Sequence, residues 1–447
     1  MIHGLNDITG YVELGNGNMT TEIETLDMRK TIEQEVDCCC LFARNNLIDY
    51  MQDRQMGSRF RVSPESRWML REDFRTTVSA KIPFCLSKEK YRYPHEDKCD
   101  KIFAAQWIAP DTICFGTKDN QLLLWKFSTG ELTNVILPDD AGSLTAPERT
   151  PTPIGEPPIN PDSSEVGPLP TTGIHDIDIN QSRNLLVSGG KSDHDMVLFS
   201  LPSMIPSAIL RGHHDCVFAS RFIADDAILT GGRDGQLLLW KVPGSSIADE
   251  EVSIISPTEC VIRSPFRVRS IEYCMYRDRA FVLCGDCSVA TVDCHSMSPV
   301  EQIPLPEEAD LVSLAISSEN DMLAVGSQGG TMLLDTHNGR NIAELCDIGL
   351  PYGVRSLTFN KDLLTIGGGN GSVDFYDVRM LSRRIPHPLN CSLGSIRATS
   401  YYPEVVPYDV PQAVYTLKYD PEYHSKLFVA GGPLLCGLNG SYASVWA

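Results

Sequence analysis

Between Gly212 and Lys241 the chain alternates short apolar runs with polar breaks. Cys216–Phe222, Ala227–Thr230 and Gln236–Trp240 read as three strands, and the Asp, Gly and Arg residues between them as turns. The pattern recurs along the chain after Lys101. KIFAAQW with ICFGTKDNQLLLW precedes it, as do IHDIDI, LLVSGG and DMVLF. VRSIEY, AFVLCGD and VATVD follow, then LVSLAI, MLAVGSQGG and MLLD, then VRSLTF with LLTIGGGNGSVDFYD, and last AVYTLKY, KLFVAGG and YASVW. With the Pro-rich segment 138–171 set aside, the period is about 45 residues and the count of units is seven.

A unit of this size cannot bury both faces of its own sheet, so the units must stack. The fold class predicted is all-β, a seven-bladed β-propeller over residues 88–447, with 138–171 a mobile loop between blades one and two. Blade seven reaches only its third strand at Ala447, which would leave an open edge. Tyr91–Tyr93, within 88–96, is the nearest segment able to supply the missing strand.

Upstream the periodicity changes. Residues 1–44 are acidic and aperiodic, a disordered tail; the Cys38–Cys40 triplet in it has no His or Cys at ligand spacing. Residues 45–80 predict a helix-loop-helix, with Leu47, Ile48 and Met51 on one stripe, and Trp68 following a helix start at Ser63-Pro64-Glu65. Two short helices bury little by themselves, so they pack on the propeller or dock into a partner.

Composition narrows the function. A net charge of −20 and a pI near 4.9 argue against nucleic acid or anionic membrane as partners. No apolar run approaches a membrane span, and the opening residues lack a signal-peptide pattern, so the expected compartment is cytoplasmic, nuclear or both. The 15 cysteines then read as reduced thiols, Cys284, Cys287 and Cys294 among them, with no metal site. P-loop, dinucleotide and nucleophile-elbow motifs are lacking, so neither a cofactor nor an enzyme is indicated.

Four polar residues of the Gly212 unit, His213, Thr230, Asp234 and Trp240, are spaced to meet one another inside a blade. They read as a structural tetrad that satisfies its own buried hydrogen bonds, in preference to a catalytic constellation. The chemistry points instead to the channel. Aligned on the triplet that opens each first strand, the blades place Phe103, His175, Phe218, Arg269, Ser313, Arg355 and Tyr415 at one mouth, a ring with basic and aromatic members and no acid. Lys118 in GTKD and Arg233 in GGRD occupy a second equivalent position at that mouth, and Arg267 lies two residues before Arg269. Five basic groups around one opening of an acidic chain concentrate positive potential there. Arginines at a narrow mouth suit an acidic peptide, especially a chain end with its terminal carboxylate; phosphate is the competing ligand.

The GH start and Leu-Trp-Lys end of the Gly212 unit resemble a WD40 blade. GTKDNQLLLW, GIHDIDINQSRNLLVSGG, GGRDGQLLLW, GVRSLTF and the ending AVYTLKYD…KLFVAGGPLLCGLNGSYASVWA are similar to the WD40 substrate receptors of cullin-4 ubiquitin ligases, the DCAF family, nearest its twelfth member. The resemblance spans about 45–447 and implies a non-catalytic receptor in protein ubiquitination. It implies that the helices at 45–80, through Leu47, Ile48, Met51 and Trp68, dock into the ligase's propeller adaptor. It also implies that the mouth binds substrates ending in two glutamates, a C-degron, with Lys118, Arg233, Arg269 and Arg355 in matching motifs and Arg267 where the relative carries Lys. Two departures stand out: the relative's basic N-terminal segment is absent, and the insert at 138–171 is longer and Pro-rich. A WD40 scaffold binding an acidic or phosphorylated partner outside the ubiquitin system is the alternative.

Overall fold

A computed structural model describes residues 83, 86, 89–94, 99–138, 172–242, 252–306, 311–345, 352–380, 385, 389–390, 397–398, 412–422, 424–434 and 438–447. The expected tail at 1–44, the helix-loop-helix expected at 45–80 with Leu47, Ile48, Met51 and Trp68, and residues 139–171 of the insert lie outside them.

Seven antiparallel blades succeed one another along the chain. Their innermost strands are Ile102–Ala109, Ile177–Ile179, Val217–Ala224, Val268–Cys274, Ser313–Ser317, Val354–Asn360 and Gln412–Tyr419. Alternation decides how the blades stack, because successive side chains of a strand point to opposite faces. In Gln236–Lys241, Leu237 and Leu239 pack with Val268, Ile271 and Val282 of blade four, while Leu238 and Trp240 pack with Val187 and Leu198 of blade two. With both faces covered, the strand reads as a continuous apolar run.

Blade seven closes with a strand from the other end of the fold. Glu89–Arg92 pairs antiparallel with Tyr442–Trp446, matching Tyr91 to Val445 and Arg92 to Ser444. The Tyr93 amide donates to the Ala443 carbonyl at 2.9 Å, and the Tyr442 hydroxyl donates to Glu89 Oε1 at 2.5 Å. Tyr93 is buried edge-on against Phe115 and Trp125 of blade one, so this segment also joins the last blade to the first. The outer edge of Tyr442–Trp446 is thereby paired.

Blade two carries a strand that the repeat pattern does not announce. Ser253–Ile255, from the connection between the third and fourth strands of blade three, runs parallel to Ile205–Arg211 and makes blade two five-stranded. Within blade three, His213 Nδ1 lies 3.0 Å from Asp234 Oδ2, and its Nε2 lies 2.7 Å from Thr230 Oγ1. The Trp240 indole donates to the same hydroxyl at 2.7 Å, so imidazole, hydroxyl, carboxylate and indole satisfy one another as a buried chain.

Candidate functional site

The inner strands of five blades share a local irregularity. Their pairing with the second strand shifts register across Phe103, Phe218, Arg269, Arg355 and Tyr415. A β-bulge re-aims the side chain of its extra residue, and here it turns all five toward the channel. In blades two and six a glycine stands two residues earlier. Gly173 and Gly353 have φ of +97° and +74°, and a Cβ on either would come within 2.7 Å of the preceding blade's backbone. Those glycines let the chain turn in tightly before His175 and Arg355.

The result is a ring around a cavity of about 180 Å³, room for a chain end and not for a folded element. Tyr415 meets Phe103 edge-on at 5.1 Å, Phe103 stacks on His175 at 4.9 Å, and His175 meets Phe218 edge-on at 4.9 Å. The Arg269 guanidinium lies 5.2 Å from the Phe218 ring, a cation–π contact that continues the wall into blade four. Ser313 and Arg355 complete the lining. Burial and then the charge of Arg269 pull the His175 imidazole down to about 4, so this residue serves the neutral-pH ring as an aromatic wall and not as a cation.

Arg355 has donors to spare. Its Nη2 donates to the Tyr352 carbonyl at 3.1 Å, its Nε is buried without a partner, and no carboxylate among the described residues pairs with it. A buried donor left open is costly unless a ligand completes it.

Three further basic residues assigned to this mouth stand outside the cavity lining. The Lys118 amide bonds Lys101 O, the Arg233 amide bonds Cys216 O, and the Arg267 carbonyl accepts from Gly285, each beside the start of an inner strand. They are therefore at the rim. Two already face carboxylates: Lys118 Nζ is 2.9 Å from Asp100, and Arg233 Nε is 3.9 Å from Asp215. Arg267 is exposed. The positive potential of the rim is thus smaller than five unopposed charges, and Arg269 with Arg355 supply the cations inside the opening.

Acids absent from the ring appear one level deeper. In three of the bulged strands the third residue after the ring position lines the cavity as well: Arg221, Glu272 and Lys418. Arg221 reaches Glu272 of blade four at 2.9 Å, Asp178 of blade two at 3.3 Å and the Ile271 carbonyl at 3.1 Å. Burial pushes the Asp178 and Glu272 carboxyls up, against the pull of Arg221. Burial alone would lower the guanidinium; Glu272, Asp178 and Asp176 together outweigh it and raise it. Asp176 also faces the cavity, accepting from the Ser220 amide at 2.8 Å. The sequence offered one sign of this level, an ionisable residue three places after a ring residue in FASR, RSIE and YTLK.

No group of His, Cys, Asp or Glu among the described residues is placed to hold a metal ion. Burial lifts the Cys284 and Cys294 thiols to about 11 and about 12, too high for a nucleophile at neutral pH, while Cys287 is half-buried at the intervening turn. No helix among the described residues is long and apolar enough to cross a membrane.

Compared with known families, residues 92–275 and 251–385 match the model described as the DDB1- and CUL4-associated factor 12 beta propeller. The chain belongs to that family. The matched span runs from the closing strand into blade six, and includes every ring residue but Tyr415, together with Lys118, Arg233 and Arg267. The seven-bladed ring, the bulged inner strands and the cationic mouth are therefore features of a cullin-4-associated factor.

Proposed function

We propose that this chain is a non-catalytic substrate receptor of a cullin-4 ubiquitin ligase, and that its channel mouth binds C-terminal acidic degrons ending in two glutamates. The helices at 45–80 are its adaptor-docking element, through Leu47, Ile48, Met51 and Trp68. Family membership supports the ligase assignment. The observation that carries the ligand is Arg355, a cavity-lining guanidinium with a buried, unpartnered Nε and no carboxylate partner among the described residues. A carboxylate supplies what that group lacks: charge and a planar pair of acceptors. Arg269 faces the same cavity from blade four, so two carboxylates of one chain end can be met at once. Lys118, Arg233 and Arg267 add attraction from the rim, and Phe103, His175, Phe218 and Tyr415 enclose the methylene groups.

Fluorescence anisotropy with matched peptides ending in Glu-Glu, Gln-Gln and Glu-Glu-Gly tests the ligand. Glu-Glu should bind tightest, and Glu-Glu-Gly should lose affinity because its terminal carboxylate is displaced. Arg355→Ala should weaken Glu-Glu roughly ten- to a hundredfold, the loss of a charge-assisted contact worth about 1.5–3 kcal/mol. Equal affinities across the three peptides would leave a scaffold with some other ligand. In parallel, replacing Leu47, Ile48 and Met51 by Asp should abolish adaptor co-purification while Glu-Glu binding persists.

A further inference from the structure

Large apolar side chains exposed in isolation are ordinary, but two here occupy equivalent places on the mouth. Phe266 and Tyr352 each stand two residues before the first residue of an inner strand and three before a ring arginine, in FRVR and YGVR. They are 47% and 41% exposed. Their backbones place them: the Phe266 carbonyl lies against the Gly235 turn of blade three, and the Tyr352 carbonyl and Cβ lie against Gly369 of blade six. The two aromatics therefore bound an arc of the rim that spans blades four and five.

That arc also holds the smallest ring member. From blade seven round to blade three the opening is lined by four contiguous rings. Between Arg269 and Arg355 the ring member is Ser313, the smallest of the seven. A chain end held by both guanidiniums would have Phe266 and Tyr352 on either side of it, each three residues before one of those arginines. Exposed aromatics beside a cationic pocket suit an apolar side chain on the residues preceding that end, since aromatic faces bury large area at low entropic cost.

We propose that the receptor reads more than the acidic end: Phe266 and Tyr352 form an exit subsite that takes an apolar residue three to six positions before the substrate's C-terminus. The inference rests on the acidic-tail reading above and adds to it a second specificity element, contiguous with the cationic pocket. The occupant is thus an extended peptide whose last residues are acidic and whose upstream neighbour is aliphatic or aromatic.

The test uses the full chain and three labelled peptides. One is a short acetylated Gly-Glu-Glu; two are ten-residue peptides ending in Glu-Glu, with Leu or with Ser at positions three to six from the end. Leu should bind about five- to tenfold more tightly than Ser. Phe266→Ala combined with Tyr352→Ala should erase that difference while leaving the short peptide's affinity unchanged. Phe266→Leu should retain most of it. Equal binding of the Leu and Ser peptides, with the short peptide bound normally, would overturn the exit subsite and leave the pocket standing. An equal loss for all three peptides in the double variant would also overturn it, by showing that the aromatics act through the pocket. No binding of the short peptide, or of any of the three, defeats both readings.

Discussion

Arg221→Met removes the cation beneath the ring and leaves its acids in place. Arg221 holds Glu272 at 2.9 Å and Asp178 at 3.3 Å, with side-chain exposures of only 17%, 20% and 10%. Breaking a buried pair from one side costs about 3–5 kcal/mol, because the remaining charge keeps its desolvation penalty and loses its compensation. Asp178 retains the Phe222 amide at 2.8 Å, whereas Glu272 has no other hydrogen bond among the described residues, so the lower end, about 3 kcal/mol, is expected. For a chain of this length each kcal/mol moves the melting temperature by about 2 °C, giving a fall of roughly 6 °C at pH 7.5. The pH dependence carries the sign of the mechanism. Without Arg221, burial raises both carboxyls further above their unfolded values, opposed only by the weaker pull of Lys418 and, for Asp178, of the Phe222 amide. Acids shifted this way bind protons more readily in the folded state, so the penalty shrinks as pH falls toward about 4. Scanning fluorimetry at pH 7.5 and 5.0 should therefore show a narrower gap between variant and wild type at pH 5.0. Adding Asp178→Asn and Glu272→Gln to Arg221→Met should recover most of the loss at pH 7.5. A variant as stable as wild type, or a gap that widens on acidification, would refute the reasoning.

Two other consequences concern closure and the aromatic wall. Deleting residues 1–80 should leave a monodisperse domain, whereas deleting 1–98 removes Tyr91, Tyr93 and the strand on Tyr442–Trp446 and should give an aggregating one; size-exclusion chromatography and thermal melts compare them, and equal stability of the two counts against the closing strand. His175, lowered to about 4 from an unfolded value near 6.5, contributes stability fully above pH 6.5 and loses it as pH falls through 4. Wild type should therefore lose at most about 2 kcal/mol from this group between pH 7 and 5, and His175→Phe should lose less over the same interval, as read by urea midpoints.

Much of this was legible in the chain because a repeat reports its own geometry. The period of about 45 residues set the number of blades, and equivalent positions in equivalent strands placed Phe103, His175, Phe218, Arg269, Ser313, Arg355 and Tyr415 around one cavity. The unpaired end at Ala447 pointed to Tyr91–Tyr93 for the same reason, since an open sheet edge demands a partner. What the chain did not reveal depends on contacts between blades. Asp178 and Glu272 lie 43 and 51 residues from Arg221, one repeat to either side, and only stacking brings them to one guanidinium. The bulge that turns Arg269 and Arg355 inward is a mismatch of register between paired strands, which no single strand's pattern records. Nor does a basic residue announce its counter-charge: Lys118 and Arg233 look like Arg355 in the sequence, and only the fold sets Asp100 and Asp215 beside the first two while giving the third no carboxylate among the described residues.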